Sequence, residues 1–161
     1  MPENDESQEI PHVMVVESRF HEDIADELVK GAEAFLDDAG VSYERFAVPG
    51  ALEISAAIRF AVKSREFNPV RRRFDAYVAL GCVVRGETSH YDLVCRESSR
   101  AIQELIAEFT LAIGFGILTC ETKDQAMERA AVDKGNKGAV AARASLEMVE
   151  MKRFFRLFPR P

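Results

Sequence analysis

Four short apolar runs, each followed by a longer stretch with helical spacing, constrain the fold of this chain most strongly. The runs are "HVMVVE", "SYERFAV", "FDAYVALGCVV" and "IGFGILT". Most of them are continuously apolar, which is typical of strands buried on both faces of a parallel sheet. The pattern therefore predicts an α/β fold with three layers, α/β/α, around a four-stranded parallel sheet. With right-handed crossovers, we expect flavodoxin-like winding.

The stretches between the strands carry apolar residues three or four positions apart, which is the spacing of one helix face. They predict helices in "HEDIADELVKGAEAFLDDAG", in "LEISAAIRFAVK" and from about Ser89 to Phe109. Two further helices, separated by "DKGNKG", are expected to close the chain.

A chain of 161 residues with 47% hydrophobic and 30% charged residues has enough apolar material for one core. We therefore expect a single domain over residues 11–161. Residues 1–10 are mostly polar and acidic and show no periodicity, which indicates a disordered tail or a strand that pairs with a neighbouring subunit.

The charge and the cysteines narrow the class of protein. A net charge of −6 disfavours nucleic acid as a partner, because phosphate backbones require a positive surface. The basic run Arg71–Arg73 lacks interleaved aromatic residues and is predicted to be a solvated loop.

No apolar stretch reaches membrane-spanning length, so we expect a soluble protein without membrane association. Cys82, Cys95 and Cys120 lack CxxC spacing, which indicates reduced thiols and a cytoplasmic location.

Residues with functional side chains follow each predicted strand. In an open parallel sheet, ligands bind beyond the carboxyl ends of the strands, so these loops should meet at one edge. In chain order they hold Arg19, Phe20 and His21, then "PGALE" with Glu53, then "RGETSH", then "TCET". Phe20 offers an aromatic face to a flat heterocycle, and Glu53 an acceptor for hydroxyls or amines. Each residue alone also fits a structural role, such as a helix cap for Thr88 or Ser89.

The "RGETSH" segment predicts an anion site beside a base. The backbone N–H groups of Glu87, Thr88 and Ser89 are expected at a helix start, where no intrahelical carbonyl accepts them. Such a terminus binds phosphate or sulfate. The same positive helix end disfavours an imidazolium ion, so we expect His90 to accept a proton near neutral pH. This combination indicates proton abstraction or phosphate elimination.

The sequence lacks the motifs that metal sites, nucleotide sites and receiver modules require. The chain has no HxxxH, no Cys/His metal spacing, no Walker loop and no GxGxxG, so neither a metal nor a dinucleotide cofactor is expected. A receiver module would need an acidic cluster after its first strand and an aspartate after its third. This chain has Phe20 and Arg85 at those places.

Five blocks of sequence resemble the lumazine synthase family. They are "SRFHEDI", "VPGALEI", "GCVVRGETSHYDLV", "FGILTCETKDQAMERA" and "GNKGAVAARASLEM", in the family's order over nearly the whole chain. The resemblance implies condensation of 5-amino-6-(D-ribitylamino)uracil with 3,4-dihydroxy-2-butanone 4-phosphate, the penultimate step of riboflavin biosynthesis, with no metal or organic cofactor. It also implies a homopentamer, which in some relatives assembles into decamers or sixty-subunit shells. The alternative is a non-catalytic flavin or lumazine binder on this scaffold, which would need neither His90 nor Arg129.

The resemblance also implies roles for individual residues. The uracil substrate would contact Phe20 through its pyrimidine ring, Ala51, Leu52 and Glu53 along the ribityl chain, and the backbone of Cys82, Val83 and Val84. The phosphorylated substrate would contact the backbone of Glu87 and Thr88 and the side chains of Arg129 and Lys137, and Phe115 would close one wall of the site. His90 would transfer the proton.

Phe115 lies too far back along its strand to join the other site residues. The four steps to Thr119 put it about 13 Å from the carboxyl end, at roughly 3.3 Å per residue. We therefore do not expect Phe115 to share a pocket with His90 of its own chain. The resemblance agrees, because the family builds each site between two subunits, and the second supplies the counterparts of Phe115, Arg129 and Lys137.

The chain departs from the family pattern at four positions. It has His21, Leu52, Ser55 and Ser89 where the family usually has asparagine, an aromatic residue, proline and proline. We expect His21 to change a pyrimidine contact and Leu52 to loosen the ribityl wall.

Overall fold

The computed structural model describes residues 9–68 and 73–159, and within them the predicted four-stranded parallel sheet is confirmed. Its strands are β1 (His12–Ser18), β2 (Ser42–Val48), β3 (Ala76–Val84) and β4 (Ile113–Cys120), in the spatial order β2-β1-β3-β4. The chain winds from β1 first to one side and then to the other, as flavodoxin-like winding requires. The predictions for the N-terminal tail and the basic loop fall largely on residues 1–8 and 69–72, outside the described residues.

Helices cover both faces of the sheet. In chain order they are α1 (Glu22–Asp38), α2 (Ala51–Ser64), α3 (His90–Phe109), α4 (Lys123–Ala130) and α5 (Lys137–Phe154). α1, α4 and α5 pack on one face, and α2 and α3 on the other, which confirms the three layers. Across residues 9–68 and 73–159, no helix combines the length and the apolar character that a membrane span requires.

β1 lies at the centre of the core, and all seven of its residues are buried. Val13 and Val15 face the layer of α1 and α5, whereas Met14 and Val16 face α2 and α3. Because successive side chains of a strand point to opposite faces, a strand covered on both faces is apolar almost throughout. β2 forms one edge of the sheet and is correspondingly less buried.

β3 extends beyond β1 at the carboxyl edge of the sheet. Its ladder with β1 ends where Glu17 lies opposite Leu80, but its ladder with β4 continues to Val84 opposite Cys120. The backbone of residues 82–84 therefore projects past β1, next to the point where the winding changes direction. Sheets of this kind bind ligands at this switch point.

α5 begins directly against α1 because Gly138 has no side chain. A methyl group at this position would overlap the carbonyl group of Leu28 in α1. The other buried residues in the first two turns, Ala141 and Ala142, are also small. This close packing fixes the start of α5 and the "GNKG" turn that precedes it.

Candidate active site

A cavity of about 550 Å³ opens at the carboxyl edge of the sheet, beside the switch point between β1 and β3. The loops that follow β1, β2 and β3 form its walls, together with the first turns of α2 and α3. The sequence-predicted residues that line it are Phe20, Ala51, Leu52, Glu53, Cys82, Val83, Val84, Thr88 and His90. A largely apolar cavity of this size with a few polar groups is typical of a small-molecule site.

Phe20 stands at this cavity on a loop that hydrogen bonds hold in place. The preceding residue, Arg19, donates from Nη2 to Asp26 Oδ1 (2.7 Å) and from Nη1 to Glu17 Oε1 (3.3 Å). Its backbone N–H donates to the carbonyl of Val48 at the end of β2 (3.0 Å). The loop is thus tied to α1 and to the sheet, while the Phe20 side chain is 75% exposed and available for stacking.

His21 lines the wall beside Phe20. Burial, assisted by the positive charge of Lys123, lowers the pKa of His21 below its ordinary value. The imidazole is therefore neutral near pH 7 and offers one donor and one acceptor.

Glu53 reaches the cavity through the Pro49-Gly50 turn between β2 and α2. The carbonyl of Gly50 accepts the backbone N–H of Glu53 (3.2 Å), which starts the helix. The Glu53 carboxylate folds back over the turn, because its Oε2 lies 3.0 Å from where a Cβ of residue 50 would be. The side chain of Leu52 is 39% exposed beside it. This turn therefore presents one carboxylate and one leucine to a ligand.

The segment between β3 and α3 has backbone N–H groups available to an anion. Among the described residues, none accepts a hydrogen bond from the N–H of Glu87, Thr88 or Ser89. Ser89 is at the N-cap position, which was one of the two structural alternatives, but its side chain makes no bond to the helix. Thr88 Oγ1 instead accepts the backbone N–H of His90 (3.3 Å). The start of α3 thus combines exposed donors, the helix dipole and an imidazole.

Cys82 contributes shape rather than acid–base chemistry. Burial raises the pKa of its thiol to about 12. The group therefore stays protonated at physiological pH and cannot act as a thiolate. Cys82, Cys95 and Cys120 are all free thiols.

Three predicted residues do not reach the cavity within a single chain, and a fourth lies outside its lining. Phe115 is 40% exposed and lines a different groove, between α3 and β4. Arg129 and Lys137 lie on either side of the turn between α4 and α5. Glu87, although in the segment before α3, does not line the cavity with its neighbours Gly86 and Thr88.

The α4–α5 turn connects Arg129, near the end of α4, to Lys137 at the start of α5. Arg129 Nη1 donates to the carbonyl of Gln125 one turn earlier in α4 (3.0 Å). Gly135 packs so closely that a Cβ there would lie 2.7 Å from the carbonyl oxygen of Arg129. Asn136, with φ of +47°, then turns the backbone so that α5 begins at Lys137. The segment from Arg129 to Lys137 therefore carries three cations, of which Lys134 is paired with Glu128.

Sequence reasoning missed part of the cavity wall. The residues it did not assign are Pro49, Gly50, Gly86, Tyr91 and Val94, whereas His21 is among the candidates expected after the first strand. For Val94 the signal was available, because it follows His90 by four positions and so shares its side of the helix. A smaller cavity of about 280 Å³ lies at the opposite edge of the sheet. In the part of the chain that the structure describes, no three His, Cys, Asp or Glu side chains are grouped to hold a metal.

The fold and its cavity define an α/β protein of the doubly wound class with a small-molecule site at the switch point. Comparison of sequences gives the particular family: residues 11–153 match 6,7-dimethyl-8-ribityllumazine synthase, and the chain belongs to that family. The protein of that name from Bartonella tribocorum is 51% identical over 150 residues, which cover 93% of this chain and 95% of the relative. The relative from Agrobacterium fabrum is 47% identical over 89% of this chain and 95% of its own length.

Proposed function

We propose that this chain joins 5-amino-6-(D-ribitylamino)uracil to 3,4-dihydroxy-2-butanone 4-phosphate and forms 6,7-dimethyl-8-ribityllumazine, phosphate and two molecules of water. The family's name gives this product, and the match covers almost the whole chain. The observation that carries the proposal is one cavity lined by Phe20, Glu53 and His90. An aromatic surface, an acceptor for hydroxyls and a proton acceptor are the groups that this pair of substrates requires.

The uracil substrate binds in the half of the cavity formed by β1, β2 and β3. The exposed ring of Phe20 stacks on the pyrimidine, and the Glu53 carboxylate accepts hydrogen bonds from ribityl hydroxyls. The backbone of residues 82–84, which projects beyond β1, supplies donors and acceptors to the edge of the ring. Ala51 and Leu52 form the apolar wall along the ribityl chain.

Phosphate binding and proton transfer belong to the start of α3. The backbone amides of Glu87 and Thr88 bind the phosphate, and the helix dipole favours its charge. The free amine adds to the ketone with loss of water and gives an imine. A proton next to the imine passes to His90, and phosphate leaves from the adjacent carbon, which gives an enol. The enol takes up a proton at its terminal carbon and becomes a ketone, the second nitrogen adds to this ketone, and loss of a second water completes the ring. Holding both reactants in contact supplies much of the rate enhancement.

A neighbouring subunit completes the site with Phe115, Arg129 and Lys137. Their positions away from the cavity of their own chain support this arrangement. Arg129 suits the phosphate because its planar guanidinium forms two parallel hydrogen bonds. Lys137 lies at the butanone portion, and Phe115 closes the wall.

Such a shared site requires an oligomer, and we infer a homopentamer in the cytoplasm. A cyclic arrangement brings different surfaces of adjacent subunits together at every interface. The three free thiols agree with a reducing compartment. Light scattering on the purified protein gives the mass directly, and a stable monomer at assay concentrations would contradict the assembly.

The activity is tested by mixing the purified protein with both substrates and following the absorbance of the lumazine product. We expect formation well above the spontaneous rate, and the same protein after thermal inactivation serves as the control. Binding of the product without any acceleration would instead identify a non-catalytic lumazine binder and refute the proposed reaction.

A further inference from the structure

Arg85 joins three segments at the rim of the cavity without lining it. It is the first residue after β3, and its Nε donates to Glu121 Oε2 beyond the end of β4 (2.6 Å). Its Nη2 lies 3.5 Å from Asp92 Oδ1 in the first turn of α3. Its guanidinium carbon lies 4.3 Å from the ring centre of Tyr91. One side chain therefore connects the exits of two strands to the start of a helix.

The start of α3 has few other attachments. The Ser89 hydroxyl does not cap the helix, and the local bond from the His90 N–H to Thr88 Oγ1 is long, at 3.3 Å. Residues 85–90 are all exposed. The contacts of Arg85 with Tyr91 and Asp92, together with a side-chain hydrogen bond between Tyr91 and Thr119 of β4, tie the first turn of α3 to the sheet edge.

Tyr91 connects the Arg85 cluster to the cavity. Its ring contacts the Arg85 guanidinium and also lines the cavity, beside Thr88 and His90. A cation over an aromatic face is attractive and restricts both groups. Arg85 therefore contacts a wall of the site through Tyr91, although Arg85 itself does not line the cavity.

The charges around Arg85 argue against direct phosphate binding. Two carboxylates, Glu121 and Asp92, surround its one positive charge. The local sum is negative, so this cluster repels an anion. Arg129, in contrast, donates only to a backbone carbonyl among the described residues and keeps its charge available.

We propose that Arg85 is a positioning residue that fixes the start of α3, and through it Thr88 and His90, and that it does not bind the phosphorylated substrate. The inference rests on the proposed function for the substrate. An isolated exposed ion pair stabilises little, but one guanidinium shared by two carboxylates and a ring restricts several groups at once.

The test compares Arg85→Gln, Glu121→Gln and the double variant. Arg100→Gln is the matched control, because Arg100 is also exposed and paired with two glutamates, but in the middle of α3. Hydrogen exchange at the amides of residues 90–94 should be severalfold faster in both single variants than in the parent protein. The double variant should exchange no faster than either single variant. The control should leave these amides unchanged. This measurement needs no turnover, so it remains informative if the proposed reaction is wrong.

Kinetics separate positioning from binding. We expect Arg85→Gln and Glu121→Gln to lower kcat by a similar factor, on the order of tenfold, with little change in KM for the butanone phosphate. Arg85→Lys should recover part of the loss, because an ammonium can pair with one carboxylate. Unchanged exchange in both single variants would overturn the proposal. So would a rise in KM for the butanone phosphate that occurs in Arg85→Gln but not in Glu121→Gln.

Discussion

The imidazole of His21 stands edge-on to the ring of Phe20, with 5.0 Å between the ring centres and 77° between the planes. Both rings line the cavity. A neutral imidazole fits this contact and the adjacent Lys123, whereas a protonated one would face the lysine charge. The protonation state of His21 therefore affects both the stability of the fold and the wall of the cavity.

The lowered pKa of His21 predicts a dependence of stability on pH. Because its folded-state pKa lies below the ordinary value of 6.5, the contribution is present above pH 6.5 and is lost as the pH falls through the folded pKa. His21→Asn should therefore lose less stability than the parent below pH 6.5 and retain activity at pH 7. Denaturant unfolding at a series of pH values measures the free energy of unfolding of the two proteins. If it falls equally steeply with decreasing pH in both, the prediction is wrong.

His90→Ala should reduce kcat by about a hundredfold or more, which is the usual contribution of a general acid–base residue. Binding of the lumazine product should change little, because the stacking and ribityl contacts remain. Steady-state kinetics and a binding titration on the same preparation measure the two effects. An unchanged rate near neutral pH would remove His90 from the mechanism.

Arg129→Ala should raise KM for the butanone phosphate and leave KM for the uracil substrate nearly unchanged. Arg129→Lys should be intermediate, because an ammonium keeps the charge but loses the paired geometry. Lys134→Ala is the matched control, since Lys134 is an exposed cation in the same turn and pairs with Glu128 (2.9 Å). A loss confined to the uracil substrate contradicts the role given to Arg129.

Gly138→Ala should destabilise the protein by about 3 kcal/mol, at the upper end for overpacking, because the new methyl group would meet the backbone of Leu28. Gly86→Ala is the control for stability, since no atom lies within 4 Å of a Cβ placed there. Denaturant midpoints measured at equal protein concentration give the difference. Equal midpoints for the two variants would show that α5 can move away from α1.

Cys82 should resist alkylation in the folded protein, although it lines the cavity. Burial raises its pKa from 9.0 to about 12, which makes its thiolate fraction at pH 8 roughly a thousandfold smaller than in the unfolded chain. Mass spectrometry after brief iodoacetamide treatment, with the protein in urea as control, reports each thiol. Equal labelling of Cys82 in the two conditions would contradict its burial.

The architecture could be predicted from the sequence, because it depends on the spacing of apolar residues and on the order of strands and helices along the chain. Continuous apolar runs identify buried strands, and their alternation with helices brings the loops of Phe20, Glu53 and His90 to one edge. Tyr91 was not assigned, because its side of the cavity depends on how α3 is rotated. The contact of Arg85 with Glu121 was also unpredictable, since an exposed pair separated by 36 positions leaves no regular spacing.

The division of the site between subunits is tested most directly by mixing two inactive variants. His90→Ala and Arg129→Ala chains are unfolded and refolded together in equal amounts, and each is also refolded alone. With random assortment, roughly a quarter of the interfaces pair an intact His90 with an intact Arg129 of the neighbour, so the mixture should regain about that share of activity. Mixed oligomers that mass spectrometry detects but that remain as inactive as either parent would contradict the shared site.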